Sequence, residues 1–182
     1  KDSGSAAGPA FISACVGAFD VAGRLGETLT PWSATAWMPT GAACTVGAAA
    51  GAARLLGLDE EGIHSAMGFA ATAGGLSRQP LIDKVDGKNV LCAQSASRAI
   101  EAALLAADGL TGARHFLAGN YGLNQLYAGG RADPSPALDD LGRRYALDEV
   151  SLKPYPCCRS AHPAISLALE LQAQDPTAPD AI

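Results

Sequence analysis

Aromatic side chains are scarce in this sequence, at 5% of residues against an apolar fraction of 48%. A core with so few rings must be built from Ala, Leu, Val and Gly. Small side chains let helix backbones approach closely, and they argue against a β-sandwich, which draws on β-branched and aromatic residues. Clustered positive charge is also missing. The net charge is −5 and the basic residues stand singly, which leaves no electrostatic footprint for nucleic acid. The longest apolar run, Ala42 to Leu58, is mostly Ala and Gly and contains Arg54. It is too weakly hydrophobic to span a bilayer, so no membrane partner is expected. No charged n-region with an apolar h-region and cleavage site opens the chain. The five cysteines, at positions 15, 44, 92, 157 and 158, form neither a disulfide framework nor paired CxxC zinc spacing. Reduced, buried thiols in a cytoplasmic protein are the simplest account, with no metal site.

Against these absences, the segment Lys153-Pro154-Tyr155-Pro156-Cys157-Cys158-Arg159-Ser160-Ala161-His162-Pro163 concentrates reactive groups. Its three prolines fix their own φ and push the preceding residues towards extended conformations, giving a stiff, non-helical piece. Stiff loops that carry ionisable groups are where sites are built. An interdomain linker with a structural turn fits the same spacing equally well.

With 182 residues the chain can bury a real core in one or two domains. Phe11, Cys15, Phe19, Ala22, Leu25 and Leu29 recur at three- and four-residue intervals and predict an amphipathic helix from Pro9 to about Leu29. Trp32 to Gly41 reads as a loop. A helix over about Ala42–Leu56 follows, with Gly57 at its C′ position. Asp59 caps the next helix, Glu60 and Glu61 complement its dipole, and Gly74-Gly75 ends it. A polar connection from Leu76 to Gly87 leads to Lys88, at or near the mouth of a helix over about Cys92–Ala107 that Gly109 terminates. A short helix is expected at Asp139–Tyr145, an extended piece at Glu149–Leu152, and a last helix over about Ala161–Gln174 with Ser160 as its N-cap.

Several of these elements, in this order, resemble the MmgE/PrpD family, which includes 2-methylcitrate dehydratase, cis-aconitate decarboxylase and iminodisuccinate epimerase. The resemblance rests on Arg24-Leu25-Gly26, Trp37-Met38-Pro39-Thr40-Gly41, Gly47 to Ala50 with Ala53 to Leu58, Gly109-Leu110-Thr111-Gly112, and Lys153 to Arg159 with His162. It implies a mainly α chain: an all-helical domain over residues 1–149, then the start of a smaller α+β lid domain over 150–182. It also implies a fragment of a longer protein, since the chain lacks an initiator Met and stops at Ile182. A homodimer that works without cofactor is expected.

The reaction class that the resemblance implies is a lyase of the dehydratase type, which removes a proton next to a carboxylate of a small di- or tricarboxylate such as 2-methylcitrate. Decarboxylation of cis-aconitate and epimerisation of an imino-dicarboxylate are alternatives, and a catalytically inactive carboxylate-binding relative is a further one. Cationic side chains stabilise the negative charge that builds up, most effectively away from water. Lys88 and Lys153 match active-site lysines of the family, although Lys88 by spacing alone reads as a solvated helix-entry residue. A lysine acting as base must be neutral, so at least one of the two is expected to stay charged as a carboxylate clamp. His162 joins them as a catalytic candidate able to shuttle protons, or else as a structural hydrogen-bonder. Thr40, Arg159 and Met38 occupy the substrate-contacting positions. Arg159 fits either a carboxylate or an acidic residue across the domain boundary. Met38 departs from the family, whose members commonly carry a histidine there, and a thioether cannot transfer a proton. Leu91 likewise stands where a second histidine is often found. Cys157 and Cys158 read as packing residues.

Overall fold

The computed structural model describes residues 8–32, 37–75 and 77–174. Its regular elements are α1 (Gly8–Leu29), a π-turn (Thr40–Cys44) that runs directly into α2 (Thr45–Leu55), α3 (Glu60–Ala73), α4 (Gln79–Ile82), α5 (Gly87–Ala107), α6 (Leu123–Ala128) and α7 (His162–Gln174). Short 3-10 turns lie at Thr30–Trp32, Ser135–Ala137, Ala146–Glu149 and Arg159–Ala161. Among the described residues the only β pairing is an isolated antiparallel bridge between Trp37 and Ser77. The architecture is all-helical, as expected. The contacts divide the chain into two compact units, Lys1–Glu149 and Val150–Ile182.

The core of the first unit is an alanine core. Ala49, Ala53, Ala66, Ala70, Ala99 and Ala103 are all buried, and the largest fully enclosed side chains are Leu29, Val46 and Thr45. Each buried methyl contributes only about 0.8 kcal/mol, so the stability rests on many close contacts between α1, α2, α3 and α5. Gly47 and Gly51 of α2 are what allow α1 to approach. A Cβ at Gly51 would lie 2.8 Å from that of Ala18, and one at Gly47 would collide with the Ala18 carbonyl. By length and composition α5 is apolar enough to cross a membrane. Here it buries Ala99, Ala102, Ala103 and Ala106 against its neighbours.

The expected stripe of α1 is only half right. Leu25 and Leu29 are buried, but Phe11 and Phe19 are 54% and 56% exposed. The helix turns its alanine ridge, Ala14 with Ala18 and Ala22, onto the glycines of α2, because a phenylalanine there would hold the two helices apart. In place of a ring, α1 buries an ion pair. Arg24 Nε donates to Asp20 Oδ2 at 2.9 Å, and its other nitrogens donate to the carbonyls of Ala137, Asp139 and Arg144. Asp20 Oδ1 accepts from the Ala146 amide at 2.7 Å. This one pair satisfies the backbone of residues 137–146 and holds that segment on α1.

The second expected loop and several boundaries also change. Trp32 to Gly41 is not all loop, since Trp37 is paired with Ser77 and helical structure begins by Thr40. The π-turn has a local cause: the Thr45 hydroxyl takes the Gly41 carbonyl, while the Thr45 amide donates to Ala42. Helix α3 is as expected, with Asp59 Oδ1 accepting from the Gly62 amide at 2.9 Å. Gly57 and Gly109 follow their helices with positive φ. Helix α5 starts at Gly87 and not at Cys92, which places Lys88 in its first turn. Asp139–Tyr145 forms turns and no helix, because Asp140 and Gly142 take positive φ and the carbonyls of the segment point to Arg24. Glu149–Leu152 pairs with no strand: Glu149 ends a 3-10 turn and the residues after it are irregular.

None of the five cysteines is buried and none forms a disulfide. Cys15 and Cys157 are half-buried, and Cys44, Cys92 and Cys158 are exposed. The buried small positions went to alanine, which has no polar atom to satisfy.

In the second unit, Ser160 lies inside the 3-10 turn Arg159–Ala161 and does not cap α7. Helix α7 begins at His162 with Pro163 in its first turn, where a missing N–H costs nothing.

Candidate functional site

The end of the helical unit at which the π-turn begins gathers two of the candidate residues. Gly74, just past α3, stands against the Gly41 carbonyl and Ala42, so α2 and α3 are antiparallel neighbours. Gly112, past the end of α5, stands against Ser65 and Phe69 in the middle of α3. The π-turn packs on α5, and α2 packs along it. Helices α2 and α5 are therefore parallel, and their N-terminal turns open at the same end. Thr40 begins the π-turn there, half-buried, and Lys88 projects from the first turn of α5, exposed.

That end has a positive character beyond the lysine. Neither Pro39, at the cap position of the π-turn, nor Asp86, at that of α5, makes a side-chain capping bond. Two helix N-termini thus carry their partial positive charge towards one region, an arrangement that favours carboxylate and other anions. Asp86 places one negative charge beside it. The Lys88 ammonium makes no ion pair or hydrogen bond among the described residues.

Met38 is half-buried, and its carbonyl accepts from the Gly41 amide at 3.0 Å. The residues around it are held firmly. The Trp37 and Tyr127 rings lie 4.0 Å apart by centroid, Trp37 Nε1 donates to the Tyr127 carbonyl at 3.3 Å, and the Tyr127 hydroxyl donates to the Gly74 carbonyl. Burial pushes the Tyr127 phenol above its ordinary value. Tyr127 therefore ties α6 to the end of α3 and to the segment before the π-turn. Sequence reasoning missed it, since a tyrosine in a Gly/Asn-rich stretch carries no periodic signal. Beside it lies a cleft of about 450 Å³, lined by Thr72, His115, Phe116, Asn120, Tyr121 and Tyr127 among others; neither Thr40 nor Lys88 lines it.

Two thiols mark how closely the π-turn and α5 meet. Cys44 follows Thr40 by one turn and Cys92 follows Lys88 by one turn. The Cys44 thiol is pushed up, first by burial and second by the charge of an ionised Cys92.

The second unit brings Arg159 and His162 together. They line a cleft of about 330 Å³ with Leu152, Pro154, Pro163 and Ser166. His162 presents its ring to Tyr155, edge to face with centroids 5.2 Å apart, and the Tyr155 hydroxyl lies 3.3 Å from Ser166 Oγ. His162 Nε2 is buried with no hydrogen-bond partner among the described residues. A buried imidazole nitrogen left open is available to a ligand or a proton. Lys153 is exposed and does not line this cleft. Lys153 and Arg159 make no ion pair or hydrogen bond among the described residues. Cys157 Sγ donates to the Cys158 carbonyl at 3.6 Å. Among the described residues no group of three or more metal-ligating side chains occurs.

Comparison with known protein families finds the MmgE/PrpD N-terminal domain over residues 2–135. The match spans Met38, Thr40 and Lys88 and ends before Lys153, Arg159 and His162. No curated protein matches the chain.

Proposed function

We propose, from the premise that this chain belongs to the MmgE/PrpD family, that it is a cofactor-independent lyase acting on a small di- or tricarboxylate. The family is one of enzymes, dehydratases and their relatives. The observation that carries the reading is the shared end of α2 and α5, where Thr40, Lys88 and two helix N-termini without side-chain caps converge. Lys88 clamps a substrate carboxylate as an ammonium, and Thr40 donates a hydrogen bond to it. In the second unit Arg159 holds a carboxylate, Lys153 stabilises charge, and His162 handles a proton through its open Nε2. In the dehydration, a proton leaves the carbon next to a carboxylate and hydroxide leaves the neighbouring carbon with a second proton as water. A carbon–carbon double bond remains. The charge that builds on the carboxylate in the transition state is what the lysines stabilise. Substrates of the 2-methylcitrate type fit this chemistry. A homodimer acting in the cytoplasm belongs to the same proposal.

Assays with 2-methylcitrate, cis-aconitate and iminodisuccinate, each followed by product formation, test the reading. Lys88→Ala and Lys153→Ala are expected to lower kcat/KM by roughly 10²–10³, as loss of one charge-stabilising group does. Unchanged turnover in either variant would refute that residue's role.

One observation favours a second reading, a relative that binds carboxylates without turnover. Met38 and Leu91 remove the two histidines that the family resemblance leads one to expect. Thermal stabilisation by the same compounds with no product would support it, and robust turnover would exclude it.

A further inference from the structure

The π-turn and α5 carry one exposed cysteine each, and these two thiols have no part in the lyase chemistry. Three observations bring them together. The π-turn packs directly on α5. The interface that continues from it, between α2 and α5, is built from alanine, with Ala49 and Ala53 on one side and Ala99, Ala102 and Ala103 on the other. Such small side chains allow helix axes to approach at the lower end of the usual range of roughly 8–10 Å. Lastly, the thiols sense each other: the charge of Cys92 acts through space on Cys44. Both residues are exposed, so a solution oxidant reaches them, and neither sulfur is held by a hydrogen bond.

We propose that Cys44 and Cys92 are an oxidisable pair that a small disulfide of the glutathione class closes into an intramolecular disulfide between the π-turn and α5. The thiolate of one cysteine attacks the small disulfide, forms a mixed disulfide and expels one small thiolate. The second cysteine, as its thiolate, attacks the protein-bound sulfur and expels the other. The two protons given up by the cysteines pass to the two released thiolates. The protein loses two electrons and the small disulfide gains them. The remaining cysteines differ. Cys15 and Cys157 are half-buried, and Cys158 is chain-adjacent to Cys157, where a disulfide would close a strained ring.

The pair is tested on the whole chain by incubation with glutathione disulfide in mildly alkaline buffer. Remaining thiols are blocked with N-ethylmaleimide and the unreduced digest is read by mass spectrometry. The expected result is a peptide pair linked through Cys44 and Cys92, lost in Cys44→Ser and in Cys92→Ser, with Cys15 still alkylated. A separate glutathione adduct on each cysteine without the linked peptide would overturn the proposal, as would linkage only between chains on a non-reducing gel. Phenylarsine oxide bridges two thiols at disulfide range and needs no variant. It is expected to shield Cys44 and Cys92 from alkylation together, and full alkylation of both in its presence would equally overturn the pair. None of these readouts depends on turnover or carboxylate binding.

Discussion

Replacing Arg24 with leucine strikes the most heavily used side chain in the helical unit. Arg24 is 3% exposed and Asp20 is 8% exposed. The guanidinium donates to Asp20 at 2.9 Å, to Asp139 at 2.7 Å, to Ala137 at 3.3 Å and to the Arg144 carbonyl. In Arg24→Leu the Asp20 carboxylate stays buried with the Ala146 amide as its one partner. Stranding one member of a buried ion pair costs about 3–5 kcal/mol, a large share of the roughly 5–15 kcal/mol that holds a domain together. With a urea slope of about 2 kcal/mol/M for a unit of this size, the midpoint should fall by about 1.5–2.5 M. The loss should concentrate in residues 137–146, whose carbonyls and amide the pair satisfies, so hydrogen exchange there should quicken before it does in α3. Asp20→Leu combined with Arg24→Leu removes the stranded charge and leaves unpaired backbone groups near water, worth about 1–3 kcal/mol. The double variant is therefore expected to be more stable than Arg24→Leu alone. A single variant that loses less than about 1 kcal/mol, or a double variant no better than the single, would refute the assignment of Arg24 as the organising cation.

Two further outcomes follow from packing and protonation. Gly112→Ala would drive a Cβ onto the Ser65 carbonyl and within 2.8 Å of the Phe69 amide, both backbone atoms of α3. An expected loss of about 1–3 kcal/mol should appear in a thermal melt, and an unchanged Tm would contradict the close approach. Tyr127 has a folded pKa raised by burial above its ordinary 10.0, so the folded state keeps the proton longer than the unfolded one. Stability should decline as pH rises from the ordinary phenol value through the raised one. Tyr127→Phe should lose about 1 kcal/mol at neutral pH with the Gly74 hydrogen bond, yet show a flatter alkaline decline; an equally steep decline in the variant would assign the titration elsewhere.

Much of the helical framework could be read from local chemistry. Asp59 accepts from the Gly62 amide as a capping aspartate should, and Gly57 and Gly109 end their helices with positive φ. These are decided within one turn of chain, by atoms a few residues apart. Helix α6 escaped because its support is distant: Leu123 and Ala128 are buried under other elements, and Asn124 exchanges two hydrogen bonds with the Ala132 backbone. Phe11 and Phe19 were misread for the same reason. Their spacing was correct for a helix, but which ridge faces inward depends on the glycines of α2. The candidate site divides in the same way. The types and spacing of Lys88, Lys153, Thr40, Arg159 and His162 drew attention before any coordinates, whereas the parallel run of α2 and α5 and the open Nε2 of His162 had no linear trace.

By itself the sequence determined the helical class, an alanine-rich core, the positions of most helix ends and the family. Composition and capping act through neighbours along the chain. Only the tertiary structure decided that Arg24 and Asp20 are buried, that the cysteines are not, and that Thr40 and Lys88 share one end of the bundle. Burial and proximity are properties of helices packed against one another. A polar side chain goes inside only where the fold supplies its partners, as the backbone of residues 137–146 does for Arg24 and Asp20.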